Sequence, residues 1–197
     1  MRWLSRHLSD HYVQKTSING YRSRSAYKLI EIHNRFNLLY PGQRVLDLGA
    51  SPGGWSQVAT KQGAHVIAID IQDMKPITGV QCIKCDIVNN SHTIISSLKA
   101  KKFDLILSDM ASQACGIHSL HHIRIMMLCE AALSYTKVLL KSGGVFVVKI
   151  LQGEYDQHFF FELKKHFDKV RYFKPQASRS ESTEIYLIST GFYSITQ

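Results

Sequence analysis

The chain has 197 residues, of which 45% are hydrophobic, and its formal net charge is +9. This length suits one domain with its own core, and no apolar run approaches the ~20 residues that a transmembrane helix needs. The first residues also lack the apolar stretch of a secretory signal. We therefore expect a cytoplasmic protein made of one domain, residues 1–197, and exclude a membrane-spanning one.

Basic and aromatic residues are interleaved in the N-terminal segment, residues 1–40, which is expected to be helical. Six basic residues stand against the single acid Asp10 in residues 1–28: Arg2, Arg6, Lys15, Arg22, Arg24 and Lys28. The aromatic residues among them are Trp3, Tyr12, Tyr21 and Tyr27. Cations neutralise phosphates and rings stack on bases, so the pattern suits a nucleic acid. The alternative is a solvated basic face with its aromatic rings turned to the core.

A second basic group lies near the C-terminus. Its members are Lys164, Lys165, Lys169, Arg171, Lys174 and Arg179. Two basic groups at the two ends of the chain favour a polyanionic partner.

Helices and strands alternate along the rest of the chain. Apolar periodicity predicts a helix over 23–36, with Ser23 or Ser25 as its N-cap. Strands are predicted at 45–48, 65–70, 80–84, 103–109 and 145–149, and helices at 55–61, 91–101, 119–140 and 155–166. Two closing strands follow at 169–173 and 184–189, with no helix between them. The alternation predicts a mostly parallel, doubly wound sheet, and the closing pair makes the last strand antiparallel.

A glycine-rich turn connects the first strand to the next helix, in the segment VLDLGASPGGWSQ at 45–57. Such a turn lets a backbone approach a nucleotide-like ligand. The segment does not match a dinucleotide-binding fingerprint, which needs a glycine at the position of Ser51. It does not match a phosphate-binding P-loop either, because that motif needs a lysine at the position of Trp55. Asp47 instead places negative charge beside the turn, which suits a cationic ligand. The combination resembles motif I of the S-adenosylmethionine methyltransferases, and another Rossmann-type nucleotide site is the alternative.

Acidic residues follow successive strands, at the edge where such sheets bind ligands. Asp70 stands 21 residues after Gly49, the spacing of a carboxylate that binds ribose hydroxyls. Asp86 can accept a hydrogen bond from an adenine amino group. A single aspartate at a strand end usually forms a turn or caps a helix. A series that also includes Asp47 and Asp109 favours a ligand site.

Lys149 ends a strongly apolar strand and is expected at the same edge as Asp109. A lysine there can simply extend its ammonium group to solvent. A lysine held near another cation and partly desolvated has instead a lowered pKa and can act as a base. Lys28 is the candidate neighbouring cation, and Glu184 is the candidate orienting carboxylate. Whether these four residues meet depends on the fold.

Two groups of potential metal ligands have simpler explanations. Cys82 and Cys85 lie three apart in a predicted strand, so their sulfurs point to opposite faces, and no second close pair completes a zinc set. We expect them to be reduced packing residues. His118, His121 and His122 share a helix face, but helix starts and exposed loops often carry histidines. No metal site is expected.

Six segments spread over nearly the whole chain carry a family resemblance. They are RWL…SDHYV, GYRSRSAYKL, PGQRVLDLGASPGGWSQ, LILSDMA, SGGVFVVKILQGE and KPQASRSESTEIYLISTG. With these segments the chain resembles the FtsJ, or RrmJ, family of bacterial large-subunit ribosomal RNA 2′-O-ribose methyltransferases. The resemblance implies a Rossmann-like α/β methyltransferase fold, with a doubly wound, mostly parallel seven-stranded sheet whose last strand is antiparallel.

The resemblance also implies the activity. S-adenosylmethionine is the expected methyl donor, and the expected acceptor is a ribose 2′-hydroxyl, at a uridine, in large-subunit ribosomal RNA. The expected enzyme is a monomer that acts on a ribosomal particle. The family's Lys-Asp-Lys-Glu tetrad falls on Lys28, Asp109, Lys149 and Glu184, with Lys149 as the base.

Cofactor contacts implied by the resemblance fall on Gly53, Trp55, Asp70, Asp86 and Asp109. Two positions depart from the family pattern. Ser51 replaces the usual alanine, which is a small change, and Ser112 stands where proline is expected, which concerns the loop after Asp109 and not the tetrad.

Three alternative functions are weighed against this one. A cap-type ribose methyltransferase would need an extra segment for the cap base, and none is found. A non-catalytic RNA-binding protein on the same fold is disfavoured by the intact tetrad. An oxidoreductase is disfavoured by Ser51 in the glycine-rich turn.

Overall fold

The computed structural model describes residues 11–111, 118–153, 156–179 and 181–193. Within them seven strands form one sheet. The strands are β1 (Arg44–Leu48), β2 (His65–Asp70), β3 (Val80–Lys84), β4 (Phe103–Ser108), β5 (Leu140–Leu151), β6 (Phe167–Phe173) and β7 (Glu184–Phe192). The helices are α1 (His11–Asn19), α2 (Ser25–Phe36), α3 (Gly54–Lys61), α4 (Ser91–Leu98), α5 (His118–Leu139) and α6 (Asp156–Lys164).

The strand order is β3-β2-β1-β4-β5-β7-β6. Every neighbouring pair is parallel except those of β7, which runs antiparallel to both β5 and β6. This confirms the predicted α/β class, the doubly wound sheet and the antiparallel last strand. The chain leaves β1 in one direction through β2 and β3, and it restarts on the other side of β1 with β4. Ligands bind at such a reversal, beyond the carboxyl ends of the strands.

Apolar side chains cover both faces of the sheet, as expected for buried parallel strands. Helices α4, α5 and α6 pack on one face, over residues such as Leu46 and Leu48 of β1. Helices α2 and α3 pack on the other face, over Val45 and Leu107. Because successive side chains alternate between faces, residues two apart in a strand share a helix layer. That alternation decides which polar residues can meet at the strand ends.

Helix α2 begins at Ser25, two residues later than predicted, and neither serine caps it. Arg24 occupies the N-cap position without a capping side-chain bond. The hydroxyls of Ser23 and Ser25 instead share a hydrogen bond of 2.7 Å with each other. The predicted serine cap is therefore wrong.

Strand β5 begins at Leu140, five residues before the predicted start. Helix α5 ends at Leu139, and the strand continues through the glycines that were expected to separate the two elements. Its register against β4 shifts between Phe103 and Leu105, so the extra residues form an irregularity in the pairing. Helix α4 ends at Leu98, three residues before the predicted end.

Strand β3 lies at one edge of the sheet, and this position decides the environment of the cysteines. Cys82 in β3 is exposed, and Cys85 just beyond it is half-buried. The prediction of a packing role is therefore wrong for Cys82, because less of an edge strand is covered. Cys115 lies outside the described residues, and Cys129 is buried in α5.

The described ranges contain neither a membrane-spanning helix nor a cluster of metal ligands. None of the helices there combines the length and the apolar character needed to cross a bilayer. Within the same ranges no three or more His, Cys, Asp or Glu residues are grouped so that they could hold a metal ion. The side chain of His118 and all of Ser112 lie outside the described part of the chain.

Candidate active site

The glycine-rich turn after β1 lies at the reversal point of the sheet. Gly49 has φ = 73°, and a Cβ placed on it would lie 2.3 Å from Cγ of Met110, which follows β4. A side chain at this position would therefore clash as well as strain the backbone. Because Gly49 has no side chain, the turn and the end of β4 border one cavity.

This cavity has a volume of about 420 Å³, within the range of about 300–1,000 Å³ that holds small ligands. Its lining combines carboxylates with apolar side chains. The lining residues are Gly49, Ser51, Asp70, Ile71, Gln72, Cys85, Asp86, Ile87, Val88, Asp109, Met110, Ala111 and Leu128. The mixture suits a ligand with an apolar ring and several hydroxyl, amino or cationic groups.

Asp70 lies at the end of β2 and connects two segments that line the cavity. Its Oδ2 accepts a hydrogen bond of 2.9 Å from the backbone of Ser51, and its Oδ1 accepts one of 2.7 Å from the backbone of Gln72. The carboxylate therefore fixes the turn and also faces the cavity. Its predicted binding of ribose hydroxyls is compatible with this place and stays a prediction.

Asp86 also lines the cavity, but its carboxylate accepts hydrogen bonds within its own turn, as aspartates in turns commonly do. Its Oδ1 accepts the backbone N–H groups of Val88 and Asn89, at 2.8 and 3.0 Å, and its Oδ2 accepts the Asn89 amide. The N–H donors of Asn89 and Val88 hold the pKa of this carboxyl below its usual value. The adenine contact predicted for Asp86 stays a prediction.

Asp47 is buried beneath the turn and is less charged than the sequence suggested. Ser56 of α3 donates a hydrogen bond of 2.6 Å to its Oδ2. Burial, with smaller contributions from Asp109 and Asp70, raises the pKa of Asp47 to about 7. At neutral pH a large fraction of Asp47 is therefore protonated. The turn therefore carries only part of the negative charge that the sequence predicts there.

Gly53 and Trp55 do not line the cavity. Gly53 is the N-cap of α3 with φ = 110°. Trp55 is buried, and its Nε1 donates a hydrogen bond of 2.8 Å to the carbonyl of Ser25. The indole therefore joins α3 to α2, and the cofactor contacts predicted for these two residues stay predictions.

The four residues of the predicted tetrad meet next to Asp109, the member of the tetrad that lines the cavity. Lys149 Nζ lies 3.1 Å from Asp109 Oδ1 and 3.6 Å from Glu184 Oε1. Lys28 Nζ from α2 lies 3.0 Å from the other oxygen, Glu184 Oε2. The four side chains form a continuous chain of alternating charge. Asp109 belongs both to this chain and to the cavity lining.

Strand alternation explains why these residues converge. Leu107 and Val147 face the α2 side of the sheet, so Asp109 and Lys149, two residues further along, face the same side. Lys149 pairs with Tyr186 across the antiparallel β5–β7 contact. Lys28 projects onto this group from the buried face of α2.

The protonation state of Lys149 differs from the expectation. Burial disfavours its charge, but the carboxylates of Asp109 and Glu184 outweigh burial, and the pKa of Lys149 is raised. The pKa of Glu184 is lowered, because Lys149 and Lys28 overcome its own burial. The prediction of a lowered Lys149 pKa is therefore wrong, because the carboxylates of Asp109 and Glu184 contact its ammonium group directly.

Tyr186 is a site residue that the sequence did not single out. Its hydroxyl donates a hydrogen bond of 2.7 Å to Asp109 Oδ1, the oxygen that also contacts Lys149. Its ring lies 5.6 Å from Lys28 Nζ and 5.6 Å from the Trp55 ring. Its position two residues after Glu184, on the same face of β7, was the available signal.

The N-terminal basic residues make internal contacts where the structure describes them. Arg22 and Arg24 donate hydrogen bonds to backbone carbonyls, and Lys15 lies over the ring of Tyr27. The rings of Tyr12 and Tyr21 lie 5.5 and 5.6 Å from the Tyr27 ring. For these tyrosines the packing interpretation fits better than open stacking platforms. Residues 1–10, with Arg2, Trp3 and Arg6, lie outside the described part.

Comparisons with known proteins show which family the chain belongs to. A family model described as FtsJ-like methyltransferase matches residues 21–192. A protein of Wolbachia pipientis wMel named Ribosomal RNA large subunit methyltransferase E is 60% identical over 185 residues, which cover 94% of this chain and 96% of that protein. Its namesake in Wolbachia sp. subsp. Brugia malayi (strain TRS) is 61% identical over 193 residues, covering 98% of this chain and 89% of the relative.

One solved structure adds a three-dimensional comparison. It is a crystal structure described as a ribosomal RNA methyltransferase from Plasmodium falciparum. It matches with a TM-score of 0.77 and 31% identity, over 87% of this chain and 98% of that one. Sequence, family model and fold therefore agree. The chain belongs to the FtsJ-like methyltransferase family.

Proposed function

We propose that this protein transfers a methyl group from S-adenosylmethionine to a ribose 2′-oxygen in large-subunit ribosomal RNA, at a uridine. One observation carries the proposal: Asp109 lines the cavity and also contacts Lys149 Nζ at 3.1 Å. A bound donor and a reacting hydroxyl can therefore lie side by side at Asp109. The names of the two Wolbachia relatives support ribosomal RNA as the substrate.

The residues of the cavity fit S-adenosylmethionine. When bound, this cofactor supplies a methyl group on a sulfonium, which is a strong electrophile. Asp70 and Asp86 offer carboxylate oxygens for the ribose hydroxyls and the adenine amino group. Ile71, which is 62% exposed, and Val88 offer apolar surface for the adenine ring. The turn at Gly49 lets the backbone approach.

Lys149 is proposed to take the proton of the ribose 2′-hydroxyl. Its raised pKa means that the ammonium form predominates at neutral pH, so only a fraction of the enzyme holds the neutral amine. That amine is a strong base when it forms. In the ammonium form the same group can stabilise a developing oxyanion instead. Asp109 and Glu184 hold the Nζ in place, and Lys28 neutralises the second oxygen of Glu184.

Contacts with RNA are proposed to come from exposed basic residues outside this charge network. Lys15 of α1 is exposed, and so are Lys169 and Arg171 on the edge strand β6. Exposed cations can neutralise phosphates without breaking hydrogen bonds to the backbone such as those of Arg22 and Arg24. Arg22, Arg24 and Lys28 are less suited to this task because they hold the fold together.

A transfer assay with labelled S-adenosylmethionine tests the proposal. The acceptors are large ribosomal particles from cells lacking the gene, the naked ribosomal RNA and a capped oligonucleotide. We expect label on the particle or the ribosomal RNA, and mapping should place it on a ribose 2′-oxygen of a uridine. Label on the capped oligonucleotide alone would favour a cap-type enzyme instead.

The variant that tests the role of Lys149 is Lys149→Met, which keeps the length of the side chain and removes its charge. We expect it to bind S-adenosylmethionine in calorimetry and to transfer no methyl group. If the wild-type protein itself binds no S-adenosylmethionine, a non-catalytic RNA-binding protein becomes the better explanation.

A further inference from the structure

The guanidinium of Arg22 bonds to three backbone carbonyls from two separate loops. Its Nη1 donates to the oxygens of Pro52, at 3.2 Å, and Lys75, and its Nη2 donates to the oxygen of Pro76 at 2.7 Å. Arg22 lies in the short segment between α1 and α2. None of these bonds belongs to a helix or to the sheet.

Both loops border the cavity of about 420 Å³. Pro52 belongs to the glycine-rich turn, directly after Ser51, which lines the cavity. Lys75 and Pro76 belong to the loop after β2, whose first residues, Ile71 and Gln72, also line the cavity. Arg22 therefore connects, from outside the cavity, two loops that both contribute to its lining.

The two loops meet closely at this point. A Cβ placed on Gly53 would lie 2.5 Å from Cδ1 of Ile77, 3.0 Å from Sδ of Met74 and 3.3 Å from Nη1 of Arg22. The glycine lets the loops approach to within reach of one guanidinium. The close approach of the loops is therefore a structural reason for a glycine at position 53, and it does not require contact between Gly53 and a ligand.

The base of the Arg22 side chain is also fixed. The backbone N–H of Arg22 donates to Oε1 of Gln57 at 2.8 Å, and Nε2 of the same glutamine donates to the carbonyl of Gly20 at 3.1 Å. Gln57 lies in α3, the helix that begins in the glycine-rich turn. Gln57 therefore fixes the position of the segment that carries Arg22 relative to the glycine-rich turn.

We propose that Arg22 is a positioning residue for the cofactor, which fixes the separation of the glycine-rich turn and the loop after β2. The proposal rests on the proposed function, since it takes S-adenosylmethionine as the occupant of the cavity. The planar guanidinium suits this role because its donors diverge in fixed directions toward several carbonyls. A lysine ammonium group has all its donors on one nitrogen, so it cannot hydrogen-bond to the carbonyls of both loops equally well.

The test measures the affinities of S-adenosylmethionine and S-adenosylhomocysteine by calorimetry in Arg22→Gln and Arg22→Lys. We expect Arg22→Gln to weaken both by about tenfold, because the loops and not the sulfonium charge are affected. Arg22→Lys should fall between Arg22→Gln and the wild type. Arg35→Gln is the matched control, since it removes an exposed arginine from α2 and should bind like the wild type.

Steady-state kinetics separate this role from RNA binding and from general destabilisation. Arg22→Gln should raise KM for S-adenosylmethionine, while kcat at saturating cofactor and KM for the ribosomal particle stay within about twofold of the Arg35→Gln values. An unchanged cofactor affinity overturns the proposal. So does a raised KM for the particle alone, which would assign Arg22 to RNA.

The wild-type protein separates this proposal from the proposed function. If it binds no S-adenosylmethionine, the proposed function fails first, and the positioning role fails with it. If it binds and Arg22→Gln binds as tightly, only the positioning role fails. If Arg22→Gln does not fold, Arg22→Lys carries the same measurements, and wild-type affinity in that variant overturns the proposal.

Discussion

The hydroxyl of Tyr186 donates a hydrogen bond of 2.7 Å to Oδ1 of Asp109, the same oxygen that lies 3.1 Å from Lys149 Nζ. Burial, together with the neighbouring Asp109 charge, raises the pKa of Tyr186 well above its usual value, so the hydroxyl stays protonated. Tyr186 therefore acts only as a donor toward Asp109. The bond fixes the orientation of the carboxylate that connects the cavity to Lys149.

Tyr186→Phe tests this relationship, because it removes the hydroxyl and keeps the ring against Trp55. We expect kcat to fall about tenfold, since one charge-assisted hydrogen bond to Asp109 is lost. The affinity for S-adenosylmethionine should change less than threefold. Tyr172→Phe is the control, because that ring stacks on Phe160 at the sheet edge. Equal effects in both variants would contradict a role in orienting Asp109.

The variant Lys149→Arg distinguishes two possible roles of Lys149, as a base or as a fixed cation. An arginine keeps the positive charge beside Asp109 and Glu184 but does not lose a proton in proteins. We expect a loss of at least a hundredfold in kcat with cofactor affinity retained. Lys165→Arg is the control, since Lys165 forms an exposed ion pair with Glu162. Substantial activity in Lys149→Arg would favour oxyanion stabilisation over proton removal.

The pH dependence of kcat is the second readout on Lys149. Because the carboxylates raise its pKa, the neutral amine increases with pH throughout the range from 7 to 9. The wild-type kcat should therefore rise with pH, by up to tenfold per pH unit, when proton removal limits the rate. A flat profile between pH 7 and pH 9 would contradict the proposed base.

The strand ends could be predicted from the sequence, and the contacts between them could not. Asp70 ends β2, Asp109 follows β4 directly, and Lys149 lies two residues before the end of β5. Their shared edge of the sheet was foreseeable from the pattern of apolar strands. Lys28 and Glu184 could be named only as candidate partners of Lys149, and the family resemblance then placed them in the tetrad. The protonation state of Lys149 depends on distances of 3.1 and 3.6 Å to two carboxylates, and no residue pattern contains those distances.

Arg22 and Tyr186 show where prediction from sequence reaches its limit. Arg22 was interpreted as one of several phosphate-binding cations, but its partners are backbone carbonyls in two loops, 30 to 54 residues away. Every residue has a backbone carbonyl, so the sequence does not show which carbonyls a side chain binds. Tyr186 was not singled out, although it lies two residues after Glu184 in a predicted strand. Its role depends on the cross-strand pairing with Lys149.

Gly49→Ala tests the close approach of the turn to Met110. A Cβ there lies 2.3 Å from Met110 Cγ, in addition to the cost of a positive φ. Gly42→Ala is the matched control, because Gly42 has φ = 78° with nothing within 4 Å. We expect Gly42→Ala to cost about 1 kcal/mol of unfolding free energy, and Gly49→Ala to cost more.

Only Gly49→Ala should also weaken cofactor binding, because only Gly49 lines the cavity. Calorimetry with S-adenosylmethionine measures this part. Equal unfolding free energies and equal affinities in the two variants would mean that Met110 moves aside at no cost, so that the close approach is not needed.

Asp47→Asn tests the buried carboxyl beneath the turn through the pH dependence of stability. The pKa of Asp47 is about 7 in the folded protein, against 3.8 for the ordinary group, so the folded state resists its ionisation. The wild type therefore loses stability as the pH rises from about 4 to about 7, while asparagine, which cannot ionise, does not. Asparagine also keeps an oxygen for the Ser56 hydroxyl.

Urea unfolding of both proteins at pH 5 and pH 8 measures the difference. Between these values the wild type should lose about 2 to 3 kcal/mol relative to Asp47→Asn, because the unfolded chain is already ionised at pH 5 and the folded one is not. A constant difference between the two proteins would mean that Asp47 ionises normally beneath the turn. The buried carboxyl would then supply the full negative charge that the sequence pattern suggests.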